Sequence, residues 1–483
     1  MPWAAARASV VIPPDARSLR EDEGVTAFPD AAYVVLSSRL IPDLDGGYTL
    51  ATLARARQMA AAGVHAGRGP LLLTVDPGAP ADHARHRAAF AGRDLIVAPE
   101  VMRNLFDEAA GPHGGPADWL RAATRPGVAD PALEYREIDG PTGRAVISLP
   151  VIPGDPDWHI STAPIAVHGA GVIDGFGALY RAWLDHVVAG LRAGDAARPV
   201  VVICESRQLG ELLAGWDDPD ARLLHAIHTV HLEPPYTPDA ALNPLWERWF
   251  TLAERFDAVL WPTRAQRADV AERFGDAGVH LVVPHGVAAA ASVAPDPQRT
   301  AGRVVMLNRL APGKRIDHAV RAFAAVVSAV PSATLDVYGD GPERARLQQL
   351  IDAEGLDARV VLRGSTDDPA AVLSDAFAFL STSAYEGQGL SIVESMVHGC
   401  PVVAYDAPYG PREMLAGGGG LLVPDGDEAA LADALVRVLT DVELHHELRV
   451  AGAEAARAVD PAHAMEALAE ASRDVLARPS RRA

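Results

Sequence analysis

The stretch YEGQGLSIVESMVHGCPVVAY, residues 385–405, holds a turn, a helix and a strand in direct succession. Before it stands AFAFLSTS, residues 376–383, a short continuous apolar run of the kind buried parallel strands have. A strand that passes into a helix through glycines leaves backbone N–H groups free at the helix start. Here they belong to Gly389, Leu390 and Ser391, and such groups form an anion site. Glu386 lies on the turn, and Glu394 lies about one and a half turns into the helix. One carboxylate can reach a sugar and the other a ribose. Either glutamate alone reads as a solvated surface group; the framed pair points to a ligand.

Working outward, VVMLNRLAPGKR (residues 304–315) ends a strand at Leu307 and follows it with Arg309 and Lys314. Two cations at the carboxyl edge of a parallel sheet suit a diphosphate. YGDGPE, residues 338–343, is a strand-to-helix turn in which Gly339 and Gly341 permit close backbone approach and Pro342 opens a helix. Gly364 follows the next strand in a similar turn. Strands and helices alternate strictly from Arg303 to Tyr405, which predicts a doubly wound parallel sheet.

The aperiodic, Pro-containing stretch at residues 288–302 reads as a linker. Ahead of it a second α/β domain is expected, with strands at Tyr33–Leu36, Leu71–Val75, Leu95–Ala98, Val200–Cys204, Ala258–Trp261 and Leu281–Val283. Between about 133 and 168 turn signals and extended segments replace the helical period, so an antiparallel β insertion is expected there. The expected domains are 1–295, 296–455 and a final helix, 456–483, expected to cross back to the first domain although it has no tryptophan to anchor it. Two sheets joined by a linker form a cleft between the carboxyl ends of their strands.

On the first domain's side, DLDGGYTLATLAR (residues 43–55) opens a helix after the first strand, and Gly46 and Gly47 can offer N–H groups to a phosphate. Asp43 and Asp45 form a D-x-D, a pattern frequent by chance, and no metal is expected from it. HAIHTVH, residues 225–231, holds three histidines in a strand-like stretch, where neighbouring side chains alternate between faces. His285, in a Pro-His-Gly turn, can belong to the cleft.

Composition narrows the class. The chain has 483 residues, 49% hydrophobic and 22% charged, enough for two cores. A net charge of −20 argues against a general nucleic-acid binder. The sequence lacks an apolar run of membrane-spanning length. The first residues make a poor signal peptide, and two cysteines are too few for a disulfide framework, so a cytoplasmic protein is expected.

Together these motifs resemble the retaining GT-B glycosyltransferases of glycosyltransferase family 4. The likeness is densest from residue 303 to about 440. EGQGLSIVE followed by YDAPYGPRE looks most like the branch that glycosylates wall teichoic acid or serine-rich proteins. The resemblance implies a fold of two Rossmann-like domains facing a cleft. It implies transfer of glucose or N-acetylglucosamine from a UDP-linked donor to a cell-wall polymer, glycan or protein hydroxyl, in the cytoplasm or peripherally at the inner membrane face. It assigns the diphosphate to Arg309 and Lys314, the transferred sugar to Glu386, and the ribose to Glu394. It gives phosphate contacts to the N–H groups of Gly389, Leu390 and Ser391, and closure of the phosphate site to Gly47. Gly339, Gly341 and Gly364 line the donor site, and His228 lies near the sugar. No metal or other cofactor is implied. Self-association is compatible with it. The alternative is a non-catalytic GT-B subunit that binds acceptor for a partner enzyme. A dinucleotide oxidoreductase is disfavoured, because no G-x-G-x-x-G follows the first strand.

Overall fold

A computed structural model describes residues 27–290 and 299–482, apart from positions 45, 112, 156 and 238. The leader reading of the first residues, Asp45 and most of the 288–302 segment lie outside the described residues. The first sheet is parallel and has seven strands: β1 (Ala32–Ser37), β2 (Leu71–Thr74), β3 (Met102–Asn104), β8 (Val200–Cys204), β9 (Ala221–Ala226), β10 (Ala258–Trp261) and β11 (His280–Val282). Their order is β11-β10-β9-β8-β1-β2-β3. Every residue of β1 and β8 is buried, as expected of strands covered on both faces.

The expected strand at Leu95–Ala98 does not form. Leu95 N–H donates to the Phe90 carbonyl at the end of a helix, and Ile96 turns into the core. The third strand comes later, at Met102–Asn104, with only three residues, two of them polar, which gives no apolar run to read.

The insertion is a four-stranded antiparallel sheet: β4 (Glu134–Asp139), β5 (Ala145–Val151), β6 (Pro164–Val167) and β7 (Gly171–Asp174). It extends six residues beyond the expected end at 168. Ile138, Ile147, Ile165 and Ile173 join one core with Phe176 and Trp183 of the helix Gly175–Leu191. Gly175 is fixed by sterics: its φ is +76°, and a Cβ there would overlap the Ser161 carbonyl.

The second sheet is also parallel, with β12 (Arg303–Leu307), β13 (Thr334–Tyr338), β14 (Val360–Gly364), β15 (Ala378–Ser381), β16 (Val402–Tyr405) and β17 (Gly420–Val423). Its order is β14-β13-β12-β15-β16-β17. In each parallel sheet the chain winds outward in both directions from a central pair, β1 and β8 in the first and β12 and β15 in the second. Crevices open at the carboxyl ends of such pairs, and that is where ligands bind in open α/β sheets.

The helix Pro461–Leu476 crosses back. It buries Ala464, Met465, Leu468 and Val475 in one cluster with Tyr33, Leu53 and Val201 of the first domain. Its anchor is the arginine beyond it. Arg482 Nη1 lies 2.7 Å from Asp257 Oδ2, and both side chains are almost fully buried. The same guanidinium donates to the Trp216 carbonyl and packs over the Trp216 ring, 5.8 Å from its centroid. The aromatic partner therefore comes from the first domain rather than from the helix. Among the described residues no helix is long and apolar enough to cross a membrane.

Removing one member of a buried ion pair leaves an uncompensated charge and costs about 3–5 kcal/mol. Arg482→Ala should therefore destabilise the protein by about that amount in denaturant titration, while Arg478→Ala, an exposed pair with Asp474, should change stability little. Equal, small effects of the two substitutions would show that the tail is not anchored by this pair.

Candidate active site

The crevice between β12 and β15 is organised by Arg315. Its guanidinium donates to the carbonyls of Thr382 and Ser383, both at 3.0 Å, and packs over the Tyr405 ring. The Thr382 hydroxyl in turn donates to the Lys314 carbonyl at 2.8 Å. The loop after β12 is thus fixed to the end of β15. This brings Lys314 Nζ to 2.6 Å from Glu386 Oε1, which also accepts the Ser383 hydroxyl at 2.7 Å. The pair is partly solvated, with the lysine side chain 27% exposed, so the ammonium can exchange its carboxylate for a phosphate oxygen without a large desolvation cost.

Arg309 is exposed, and among the described residues nothing pairs with its guanidinium. Its loop lies directly on the turn after β13: Leu310 N–H donates to the Asp340 carbonyl, and Glu343 N–H to the Leu310 carbonyl. A Cβ on Gly339 would overlap the Asn308 carbonyl, and one on Gly341 the Leu310 carbonyl. The close approach that these glycines permit is to the loop carrying Arg309. Gly364, at the end of β14, accepts the Gly339 N–H at 2.8 Å.

The helix Leu390–Val397 starts from Gly389, whose φ is +82°. Among the described residues the N–H groups of Gly389, Leu390 and Ser391 have no acceptor, which leaves a dipole-oriented anion site. Glu394 is half-buried on this helix, and burial raises its carboxyl pKa. Nothing among the described residues hydrogen-bonds that carboxylate. A ribose diol would supply the missing donors.

The first domain meets this loop at several points, among them Gly387 and Gln388, and Tyr236 packs on Tyr385 with ring centroids 4.6 Å apart. Gly387 packs on the His228 backbone, where a Cβ would sit 3.1 Å from its carbonyl oxygen. Gln388 is buried; its Oε1 accepts the His285 N–H at 2.7 Å and its Nε2 donates to the His285 carbonyl at 2.8 Å. Beneath them is a polar network. His228 Nε2 lies 2.5 Å from Glu205 Oε2, and Arg55 Nε lies 2.9 Å from Glu205 Oε1. Burial opposes ionisation of Glu205, but Arg55 and His228 outweigh it and hold the carboxyl down at about 2. His285 stacks on His228 with ring centroids 4.7 Å apart. Its burial, with His228 and Arg55 alongside, pushes its pKa well down, so it stays neutral. Tyr48 packs edge-on to His228 at 4.9 Å, directly after Gly47, the first residue of the helix Gly47–Ala61.

The other two histidines of the HAIHTVH run go elsewhere. His225 packs against Trp249 and Phe256, and His231 stacks parallel to Tyr409 of the second domain. Asp43 pairs with Arg93 on the surface.

Sequence reading missed Glu205, Arg55, Gln388 and Glu413. Glu413 accepts the Arg264 and Ala265 N–H groups at the start of the helix Arg264–Phe274, a second bridge between the domains. Glu205 had a signal: it is the first charged residue after the wholly apolar run of β8. Gln388→Ala orphans two buried backbone groups, each worth about 1–3 kcal/mol. It should lower stability accordingly and increase the radius of gyration in small-angle scattering. Unchanged scattering would mean that Gln388 does not hold the domains together.

Residues 294–459 match the family model described as "Glycosyl transferases group 1". Over 204 residues the chain is 32% identical to the poly(glycerol-phosphate) alpha-glucosyltransferase of Bacillus subtilis (strain 168), an alignment covering 41% of this chain and 30% of that relative. The chain thus matches less than a third of that relative's length. The crystal structure of TarM superposes with a TM-score of 0.76 at 18% identity, covering 92% of this chain and 99% of that one. The pneumococcal O-GlcNAc transferase GtfA, crystallised with UDP and GlcNAc, superposes with a TM-score of 0.71 at 16% identity, covering 93% of this chain and all of that one. The chain has the GT-B fold, and its second domain carries the glycosyl transferases group 1 match.

Proposed function

We propose that this chain is a retaining, metal-independent glycosyltransferase that moves glucose or N-acetylglucosamine from a UDP-sugar to an acceptor hydroxyl. The Lys314–Glu386 pair at the β12–β15 crevice, opposite His228, carries the reading. A diphosphate seated on the N–H groups of Gly389–Ser391 lies within reach of Lys314 and Arg309. As the bond from the anomeric carbon to the diphosphate breaks, negative charge grows on the phosphate, and both cations stabilise it. Glu386, released by Lys314, faces the sugar, where positive charge develops. The acceptor hydroxyl attacks from the face the diphosphate leaves. Its oxygen bonds to the anomeric carbon, and its proton passes to the departing phosphate oxygen, so configuration is retained. Glu394 takes the ribose hydroxyls, and His228, held by Glu205, fixes the sugar from the first domain. The group 1 match over the second domain and the likeness to a polyol-phosphate glucosyltransferase support the reading. A structural relative crystallised with UDP and GlcNAc supports the choice of donor. The acceptor class is a cell-wall polymer, glycan or protein, met in the cytoplasm or peripherally at the inner membrane face. Transfer in the presence of a chelator is part of the reading.

Steady-state kinetics with UDP-glucose and UDP-N-acetylglucosamine test it. Glu386→Ala and Lys314→Ala remove transition-state contacts worth about 2.7–4 kcal/mol, so kcat should fall roughly a hundred- to thousandfold. Glu394→Ala removes a contact present equally before and during reaction, so the donor KM should rise with kcat little changed. Near wild-type turnover in both Glu386→Ala and Lys314→Ala would overturn the catalytic assignment. Activity lost in EDTA and restored by Mg²⁺ would overturn metal independence.

A further inference from the structure

A cavity of about 530 Å³ opens at the β1–β8 crevice of the first domain, adjoining His228 and Glu205. Its volume lies in the range of small-ligand sites. Its wall is built from three separate pieces. Trp158 comes from the β insertion and is 38% exposed, its ring perpendicular to that of Phe176 with centroids 5.1 Å apart. Both its neighbours in the chain are pinned. His159 Nε2 lies 3.0 Å from the buried Glu211, and Asp157 takes Arg248 at 2.7 Å while the same arginine bonds Glu211. The indole is therefore a preorganised flat face.

Tyr180 and Asp76 stand among the polar groups of the wall. Tyr180 is only 7% exposed, and among the described residues nothing hydrogen-bonds its hydroxyl. Burial and the nearby charge of Asp76 keep it protonated. Asp76, at the end of β2, takes one amide proton from Asn104 at 3.2 Å. Behind it stands His83, whose Nε2 lies 3.6 Å from Asp76 Oδ2 while its Nδ1 lies 2.7 Å from Asp107, itself paired with Arg87. That backing fixes the carboxylate and leaves it acceptor capacity towards the cavity. The charged groups at the wall are otherwise engaged: Arg39 has an interaction of its own, Arg207 is bonded to Glu211, and the Glu205 carboxylate is paired with Arg55 and hydrogen-bonded to His228.

We propose that this cavity binds a neutral pyranose unit of the acceptor, with Trp158 against the ring face and Asp76 and Tyr180 on its hydroxyls. The assignment rests on the glycosyltransferase reading above and narrows its acceptor to a glycan. A carboxylate accepts only, whereas a phenol both donates and accepts, and vicinal sugar hydroxyls satisfy both. A phosphodiester has no proton for Asp76 and would meet a like charge. A peptide serine would leave the indole face bare.

Calorimetric titration of the UDP-saturated full-length protein tests this, with maltose and chitobiose as neutral probes. A glycerol-phosphate oligomer and a serine-rich peptide are the contrasting probes. The neutral disaccharides should bind and the contrasting probes should not. Tyr180→Phe should weaken disaccharide binding about two- to tenfold, and Asp76→Asn about ten- to a hundredfold. Trp158→Ala should weaken it as well, and all three variants should be checked for wild-type melting curves. Preferred binding of the phosphate oligomer or the peptide would overturn the proposal. So would disaccharide affinity unchanged in all three variants, or competition between disaccharide and UDP-glucose for one place. Absence of UDP binding by the wild type would instead defeat the glycosyltransferase reading. UDP binding without disaccharide binding defeats the cavity assignment alone.

Discussion

Two hydrogen bonds between the Gln388 side chain and the backbone of His285 join the working loop of one domain to the floor of the other. Gln388 sits two residues from Glu386, and His285 stacks on His228. That amide therefore contributes directly to the spacing between the groups of the second domain and those of the first. An amide satisfies both a donor and an acceptor, so a carboxylate or an ammonium cannot replace it without leaving one backbone group unpaired. The Glu413 contact with the helix Arg264–Phe274 and the Tyr409 contact with Asp269 extend the same seam.

Charge is handled differently on the two sides. In the second domain Lys314 is partly solvated and Arg309, among the described residues, has no partner, so both are ready for an anion that arrives and departs. In the first domain Glu205 and Arg55 are fully enclosed and bonded to one another and to histidine. A buried network of that kind fixes geometry rather than exchanging ligands. The overall charge of −20 therefore says little about the crevice, where local arrangement outweighs the total.

Much of the fold was legible because its signals are local. Continuous apolar strands such as Val200–Cys204 and helical spacing such as Ile316, Ala319, Val320 and Phe323 are visible in short windows. Met102–Asn104 was not, because a three-residue edge strand with polar side chains has no periodicity. In the candidate site, the residues read from sequence were those following strand ends in the second domain, and the structure brings Lys314 and Glu386 together there. Across the seam Gly47, His228 and His285 stood out in sequence, but the contacts that join the two histidines to Arg55, Glu205 and Gln388 were not readable. Arg55 and His285 are 230 positions apart, and no local pattern announces such a contact. His225, His228 and His231 looked alike in sequence, yet only His225 lies in β9, against Trp249 and Phe256; His228 and His231 follow in the loop, where His228 meets Glu205 and His231 stacks on Tyr409.

Val287 N–H donates to the Val459 carbonyl at 2.9 Å, so the two places where the backbone passes between the domains run side by side and are bonded. A pair of adjacent strands acts as a door hinge does: it resists twist and sliding but permits rotation about the line through both. Any opening of the crevice about that line would carry every residue of the second domain along an arc about the same axis. Displacement grows with distance from that axis. The groups of the crevice nearest residues 287 and 459 keep their partners through the swing, while those at the far lip lose and regain theirs together.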